Sequence, residues 1–248
     1  MREEGQTMTG RIALVTGGSR GIGAAITKAM GDAGAYAVFT HTGSTSFRRT
    51  NGPAEAVALD GRDAAGTTAL VNRIVEERGR IDVLVTNVGC NLARPAEQVT
   101  DEEWRDFLDI NLGSAFYAAR AVLPHMLSAE YGRIILIGSS AVYDGGGGAI
   151  DYAAGKSGLT GVMLYLARTY ARKGILTNLI HPCVIDTDLL RQRYSDEEKR
   201  ARLAAQIPVG RLGRPEDIAG LAVYLASSWG NYICGQAILV DGGRTLFR

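Results

Sequence analysis

The sequence predicts an α/β fold: a doubly wound parallel sheet inside a three-layer αβα sandwich, built as one domain over residues 10–248. Three observations carry that expectation. Short apolar runs alternate with helical periodicity from end to end. A glycine cluster separates the first apolar run from the first helical segment. No linker, repeat or charge block interrupts the 248 residues. Apolar residues make up 46% of the chain and charged residues 21%, enough for a full core and too apolar for a disordered chain. Residues 1–9 are polar and read as an extended or disordered tail.

RIALVT (11–16) is a short apolar run that reads as a buried strand. Residues 21–34 follow with Ile22, Ala25, Ile26, Ala29 and Met30 at helical spacing, closed by Gly34. AYAVFT (35–40) reads as a second strand, which completes a parallel βαβ unit. The stretch 43–52 has no apolar periodicity and is expected as a loop or a much shortened helix. Strands are expected at 56–60, 81–86, 133–138, 175–180 and 237–241. Helices are expected at 64–79, from about Asp101 to 131, at 151–173, around 187–206 and at 215–228.

Several function classes are disfavoured at this level. A net charge of +1 offers no field for nucleic acid or an anionic membrane. No apolar run approaches the ~18 residues of a membrane span, and MREEGQTMTG lacks the apolar core of a signal peptide. Cys90, Cys183 and Cys234 form neither a CxxC motif nor a zinc-ligand spacing, so no metal is expected. Their odd number fits a reducing cytoplasm.

Gly17, Gly21 and Gly23 in TGGSRGIG lie between a strand and a helix. Glycines there let backbone approach a pyrophosphate, and the helix N-terminus offers free N–H groups. Three glycines alone are often only a turn; the flanking strand and helix favour the binding reading. An acidic residue at the end of the second strand would hold ribose hydroxyls, yet that end reads Thr40-His41-Thr42. The missing carboxylate removes a barrier to a 2′-phosphate, and Arg20 can pair with it. The expected cofactor is therefore NADPH/NADP+. Arg48 and Arg49 are further candidates, read more simply as solvated surface charges.

Tyr152 and Lys156, four apart in a helical segment, share one face. A free phenol titrates near ~10. A neighbouring ammonium would lower that value and make a usable general acid–base. The pair alone could equally be two surface residues. Ser139, at the carboxyl end of RIILIG, adds a hydroxyl for a substrate carbonyl. Asn111 lies on an otherwise apolar helical face. Its amide either supports a water relay toward Lys156 or bonds backbone inside the core.

Together these residues make the chain resemble a short-chain dehydrogenase/reductase, of the type of the 3-oxoacyl-carrier-protein reductases and polyketide ketoreductases, from Gly10 to the C-terminus. The resemblance implies a Rossmann-type fold and a catalytic tetrad of Asn111, Ser139, Tyr152 and Lys156. It implies cofactor contacts from Gly17, Ser19, Arg20, Gly21, Ile22, Gly23, His41 and Thr42, from Asp60 and Gly61 at the adenine, and from Asn87, Val88 and Gly89 in TNVG. Pro182, Ile185 and Thr187 would hold the nicotinamide amide, beside Tyr152 and Lys156. By the same resemblance Tyr152 protonates a carbonyl as hydride arrives, Lys156 holds the nicotinamide ribose, and Asn111 anchors the reloading water. A homotetramer, or a homodimer, is implied.

Some positions depart from the pattern. Thr86 and Val88 replace the usual Asn and Ala, Gly61 replaces a bulky aliphatic residue, and Cys183 follows Pro182 in place of Gly. Carrier-protein reductases place basic residues where this chain has Glu130 and Lys173, so one position is charge-reversed. The segment after Thr187 is expected as a lid, with Leu189, Leu190 and Tyr194 touching substrate alongside Ser139 and Tyr152. Four glycines, Gly145 to Gly148, imply a pliable wall with room for bulk. The expected substrate is a small-molecule ketone, with an aromatic polyketide of an antibiotic pathway as the specific reading. The alternatives are a fatty-acid 3-oxoacyl reductase, an NAD-dependent alcohol or sugar dehydrogenase, and a non-catalytic NADPH-binding protein.

Overall fold

Seven strands fall in the order β3-β2-β1-β4-β5-β6-β7, every neighbouring pair parallel, in a computed structural model that describes residues 7–43 and 54–245. They are β1 (Ile12–Thr16), β2 (Tyr36–His41), β3 (Ala54–Ala58), β4 (Val83–Thr86), β5 (Gly132–Ile137), β6 (Ile175–Pro182) and β7 (Ala237–Val240). The chain reverses its winding between β1 and β4, which opens a crevice beyond their carboxyl ends.

Alternation along each strand feeds two cores. Leu14, Leu84, Ile134 and Leu136 point to one face, where α2 (Ala64–Arg78), α4 (Ser114–Ser128) and α6 (Ile150–Tyr170) supply Ile74, Val122 and Leu159. Val15, Val85, Ile135 and Ile137 point to the other, against Ile26 and Met30 of α1 (Gly21–Asp32) and Ile218 and Leu225 of α9 (Pro215–Ala226). Both faces of the central strands are covered, which is why those segments read as continuous apolar runs. Met8, inside the stretch expected to be tail, is only 1% exposed and joins the second core.

Besides shifts of two or three residues at the ends of elements such as β4, β6 and α6, four elements differ from their expected form. The strand expected at 56–60 runs instead over Ala54–Ala58. It stops because the Asp60 carboxylate accepts the Arg62 backbone N–H at 2.9 Å and turns the chain. The long helix expected from Asp101 is α3 (Asp101–Leu108), a π-helical turn (Asp109–Gly113) and α4. The Thr100 hydroxyl and the Glu103 carboxylate form a capping box that fixes where α3 starts. Two short helical turns, α5 (Ala141–Asp144) and Gly146–Gly148, break the glycine-rich wall, with Gly145, Gly147 and Gly148 at positive φ. The lid expected around 187–206 is two helices, α7 (Asp188–Arg193) and α8 (Glu197–Ala205), each capped at its start by Thr187 or Asp196. Most of the loop expected at 43–52, with Arg48 and Arg49, lies outside the described residues.

Candidate active site

The glycine loop after β1 is held from below. The Gly17 N–H donates to Thr40 Oγ1 at 3.1 Å and the Gly18 N–H to the Thr40 carbonyl at 3.0 Å. Asn87, at the end of β4, donates its amide to the Gly17 carbonyl at 3.0 Å. A Cβ built on Gly23 would lie 2.1 Å from the Gly17 carbonyl oxygen, so only glycine fits that approach. Gly17 and Gly21 take φ of 63° and 53°, a region that disfavours side chains. At the start of α1, Arg20 makes no side-chain cap and the first turn holds no acid. The first N–H groups of the helix are therefore left for an anion.

Opposite the loop stands the segment after β6. A Cβ on Gly21 would come within 3.3 Å of Thr187 Cγ2, so Pro182 to Thr187 form the facing wall, with Ile185 buried behind it. Ser19 on the loop and Ile22 in the first turn of α1 are partly exposed, and Arg20 between them is exposed. At the end of β2, His41 Nδ1 meets the Gly43 carbonyl at 2.6 Å, and Thr42 is exposed. The residues present fit a dinucleotide: a glycine cradle, a helix N-terminus without internal anions, and a second strand that ends without a carboxylate.

At the adenine edge the carboxylate is paired. Asp60, expected to contact adenine, also pairs with Arg62: Nη2 donates to it at 2.7 Å and Nε at 3.2 and 3.3 Å. That guanidinium holds the carboxyl below its ordinary range. Gly61 packs tightly here, since a Cβ on it would meet Ser114 and Val88 at 3.2 Å.

The catalytic candidates do converge. Tyr152, at the first turn of α6, is partly buried, with its phenol near enough to the Ser139 side chain to feel it. Burial pushes the phenol above its ordinary value, and the Ser139 side chain opposes that shift. Lys156, one turn further, is 4% exposed and donates Nζ to the Val88 carbonyl at 3.1 Å and the Ile137 carbonyl at 3.0 Å. Burial pushes it down to about 8. The expectation that the ammonium lowers the Tyr152 value is thus not met. Burial dominates both groups, and the ammonium turns to two backbone carbonyls instead.

Asn111 follows the backbone alternative. Its amide donates to the Cys90 and Phe107 carbonyls, both at 2.9 Å, and its oxygen accepts the Cys90 N–H at 3.0 Å. Both amide protons and one lone pair of Oδ1 are thus taken by main chain. The π turn explains the fit. Its shifted register leaves the Phe107 carbonyl to a side chain, and such turns often mark functional sites. Gly89 lets this cluster close, because a Cβ there would sit 2.9 Å from Lys156 Nζ and 3.0 Å from Asn111 Oδ1.

Two site residues were missed by sequence reasoning. His181, 1% exposed, accepts the Ser139 N–H at Nδ1 at 3.1 Å and packs edge-on against Tyr143, ring centroids 5.4 Å apart. Burial pushes the imidazole below its ordinary value, so it stays neutral as an acceptor. The only sequence signal was a histidine inside the apolar strand ILTNLIHP. Tyr143, 51% exposed, stands on the segment after Ser139. In the lid, Leu189 is 65% exposed, while Leu190 and Tyr194 are partly buried.

Comparison with known proteins agrees with this geometry. A family model described as enoyl-(acyl carrier protein) reductase matches residues 16–245. A 3-oxoacyl-[acyl-carrier-protein] reductase of Escherichia coli (strain K12) is 39% identical over 240 residues, spanning 94% of this chain and 97% of that protein. Its counterpart from Vibrio cholerae is 36% identical over 242 residues, spanning 95% and 98%. Among solved structures, a candidate NAD(P)-dependent gluconate 5-dehydrogenase from Beutenbergia cavernae, with NADP bound at low occupancy, superposes with a TM-score of 0.90 at 35% identity. The match covers 98% of this chain and 99% of that one.

Proposed function

The chain belongs to the short-chain dehydrogenase/reductase family, and from that premise we propose that it is an NADPH-dependent ketoreductase that converts a ketone to a secondary alcohol. The observation that carries the reading is the state of Tyr152. Its phenol stands beside the Ser139 side chain in the same cleft end as buried Lys156, and burial pushes it further above an ordinary value that is already protonated at neutral pH. A reduction needs a proton donor at the carbonyl, and this phenol is loaded as one. NADPH, when bound, supplies the hydride.

Ser139 orients the substrate carbonyl, and the neutral His181 beneath it fixes the Ser139 backbone. Lys156, one helical turn beyond Tyr152, would hold the ribose of the nicotinamide. The Val88 and Ile137 carbonyls hold Lys156 in register, Gly89 leaves it room, and Asn111 fixes the neighbouring Cys90 peptide. Arg20 and the α1 N-terminus take the phosphates, and the absence of an acid at His41 and Thr42 favours NADPH over NADH. The face of α4 and α6 that exposes Phe116, Leu164 and Tyr165 would form one interface of a homotetramer, or the whole interface of a homodimer.

For the substrate, we favour a bulky apolar ketone of the aromatic polyketide kind. Leu92, Tyr143 and Leu189 are each at least 51% exposed and stand on the segments that follow β4, β5 and β6. The second reading is a 3-oxoacyl thioester, favoured by the identity to the carrier-protein reductases. Against it, Glu130 shares its cleft with Arg172 and Lys173, so the basic character is diluted there. NADPH consumption tests both readings with 1-decalone, acetoacetyl thioester and an enoyl thioester, beside NAD-linked oxidation of gluconate. The bicyclic ketone should give a kcat/KM about tenfold above the thioesters, or more. A larger value for acetoacetyl thioester would install the second reading. Gluconate oxidation without any ketone reduction would reject both.

A further inference from the structure

Asp151 directly precedes Tyr152 and is 0% exposed. A carboxylate is seldom buried so fully unless it is paired. Its Oδ1 accepts the Tyr152 backbone N–H at 2.7 Å, and its Oδ2 accepts Arg94 Nη2 at 2.8 Å. Arg94 comes from the loop after β4, and its side chain is 11% exposed. It joins three segments that each carry a site residue. Its carboxylate partner opens the helix of Tyr152. Its guanidinium lies 4.7 Å over the ring of Phe107, whose carbonyl holds the Asn111 amide. Its backbone N–H donates to the Gly148 carbonyl at 2.9 Å, in the glycine wall beside Tyr152.

Stability is a poor reason for such a pair. Desolvating two charges costs about what their attraction returns, and apolar replacements of similar volume are often neutral or better. Arg94 Nε adds a further cost, being buried with no hydrogen-bond partner among the described residues. What the pair does supply is direction. A bidentate-capable guanidinium and a carboxylate fix relative orientation as apolar contacts cannot.

We propose that Arg94 and Asp151 are positioning residues: their buried ion pair sets the first turn of α6, and with it the aim of the Tyr152 phenol, against the Asn111 turn and the loop after β4. The proposal rests on Tyr152 being the proton donor.

The test uses the full chain with NADPH, and 1-decalone or ethyl acetoacetate as the ketone, whichever the parent reduces faster. An Arg94→Met/Asp151→Leu double variant removes both charges at similar volume. It should melt within a few degrees of the parent and bind NADPH, followed by fluorescence, with a Kd changed less than about twofold. Its kcat should fall about 10- to 100-fold with little change in the ketone KM, as for a misaimed catalytic group. Asp151→Asn should show a smaller fall, and Arg94→Lys should retain part of the parent rate. A crystal structure of the double variant with NADP+ should show the Tyr152 hydroxyl displaced from Ser139. A folded, NADPH-binding double variant with parental kcat overturns the proposal, as does an unmoved Tyr152. If the double variant does not fold, parental kcat in Asp151→Asn overturns it. Tyr152→Phe, run in parallel, separates the two claims. Activity in that variant rejects the ketoreductase reading, whereas an inactive Tyr152→Phe beside an undiminished double variant rejects only the positioning role.

Discussion

The two ends of the cleft are built from different materials. At the proton-donating end the partners are buried: Lys156 and Asn111 are held by backbone, the Val88 and Ile137 carbonyls and the Cys90 peptide, and the Ser139 N–H is held by the buried His181 ring. At the adenine end the contacts run between exposed side chains, Asp60 with Arg62, while His41 meets a neighbouring carbonyl. Backbone anchors change only when the fold changes, whereas exposed side-chain pairs can be exchanged at little cost. The chemistry should therefore be brittle and the adenine recognition tolerant.

The comparison can be broken first at Gly89. A Cβ there would crowd Lys156 Nζ and Asn111 Oδ1, so Gly89→Ala should force the ammonium off its two carbonyls. We expect kcat to fall about 10- to 100-fold with the melting temperature lowered by a few degrees. Steady-state kinetics with thermal melts would show it, and parental kcat would mean that the cluster is looser than its distances. The pH profile sharpens the same point. Lys156 is pushed down to about 8, so it carries charge below that pH and loses it above. For ketone reduction, kcat/KM should be level below pH 8 and fall roughly tenfold per pH unit above it. A profile that stays flat to pH 10 would separate Lys156 from the chemistry.

At the other end the effects should shrink. Arg20→Ala should weaken NADPH binding about 5- to 10-fold and leave NADH nearly unchanged, read by fluorescence titration. Equal loss for both would show that Arg20 meets the pyrophosphate or nothing, and not the 2′-phosphate. Arg62→Ala should change NADPH affinity by no more than about twofold, because it frees Asp60 while removing only an exposed pair. A tenfold change in the same titration would make the adenine end as rigid as the other.

The same division governs how much was legible in the sequence. The doubly wound class and the glycine cradle follow from periodicity and local motif, which short stretches carry in full. Ser139, Tyr152 and Lys156 are readable because one lies at a strand end and two share a helix face. The π turn at Asn111 is not readable, since a one-residue change in hydrogen-bond register leaves the apolar pattern almost intact. The Lys156 partners are carbonyls, and no side chain announces them. Arg94 and Asp151 are 57 positions apart and look like ordinary surface charges until the fold buries them. The expected fall in the Tyr152 value failed for the same reason: spacing shows that two groups are near, but not how deeply they are buried.

Hydride and proton delivery can be read in one product. With NADPH deuterated at the transferring position of nicotinamide C4, the parent enzyme should convert its ketone to an alcohol bearing one deuterium on the carbinol carbon, and Tyr152→Phe should bind the same NADPH yet form at least about 100-fold less. Deuterated alcohol formed at the parental rate by Tyr152→Phe, or label found on the carbon chain of an enoyl thioester and never on a carbinol, would contradict the account.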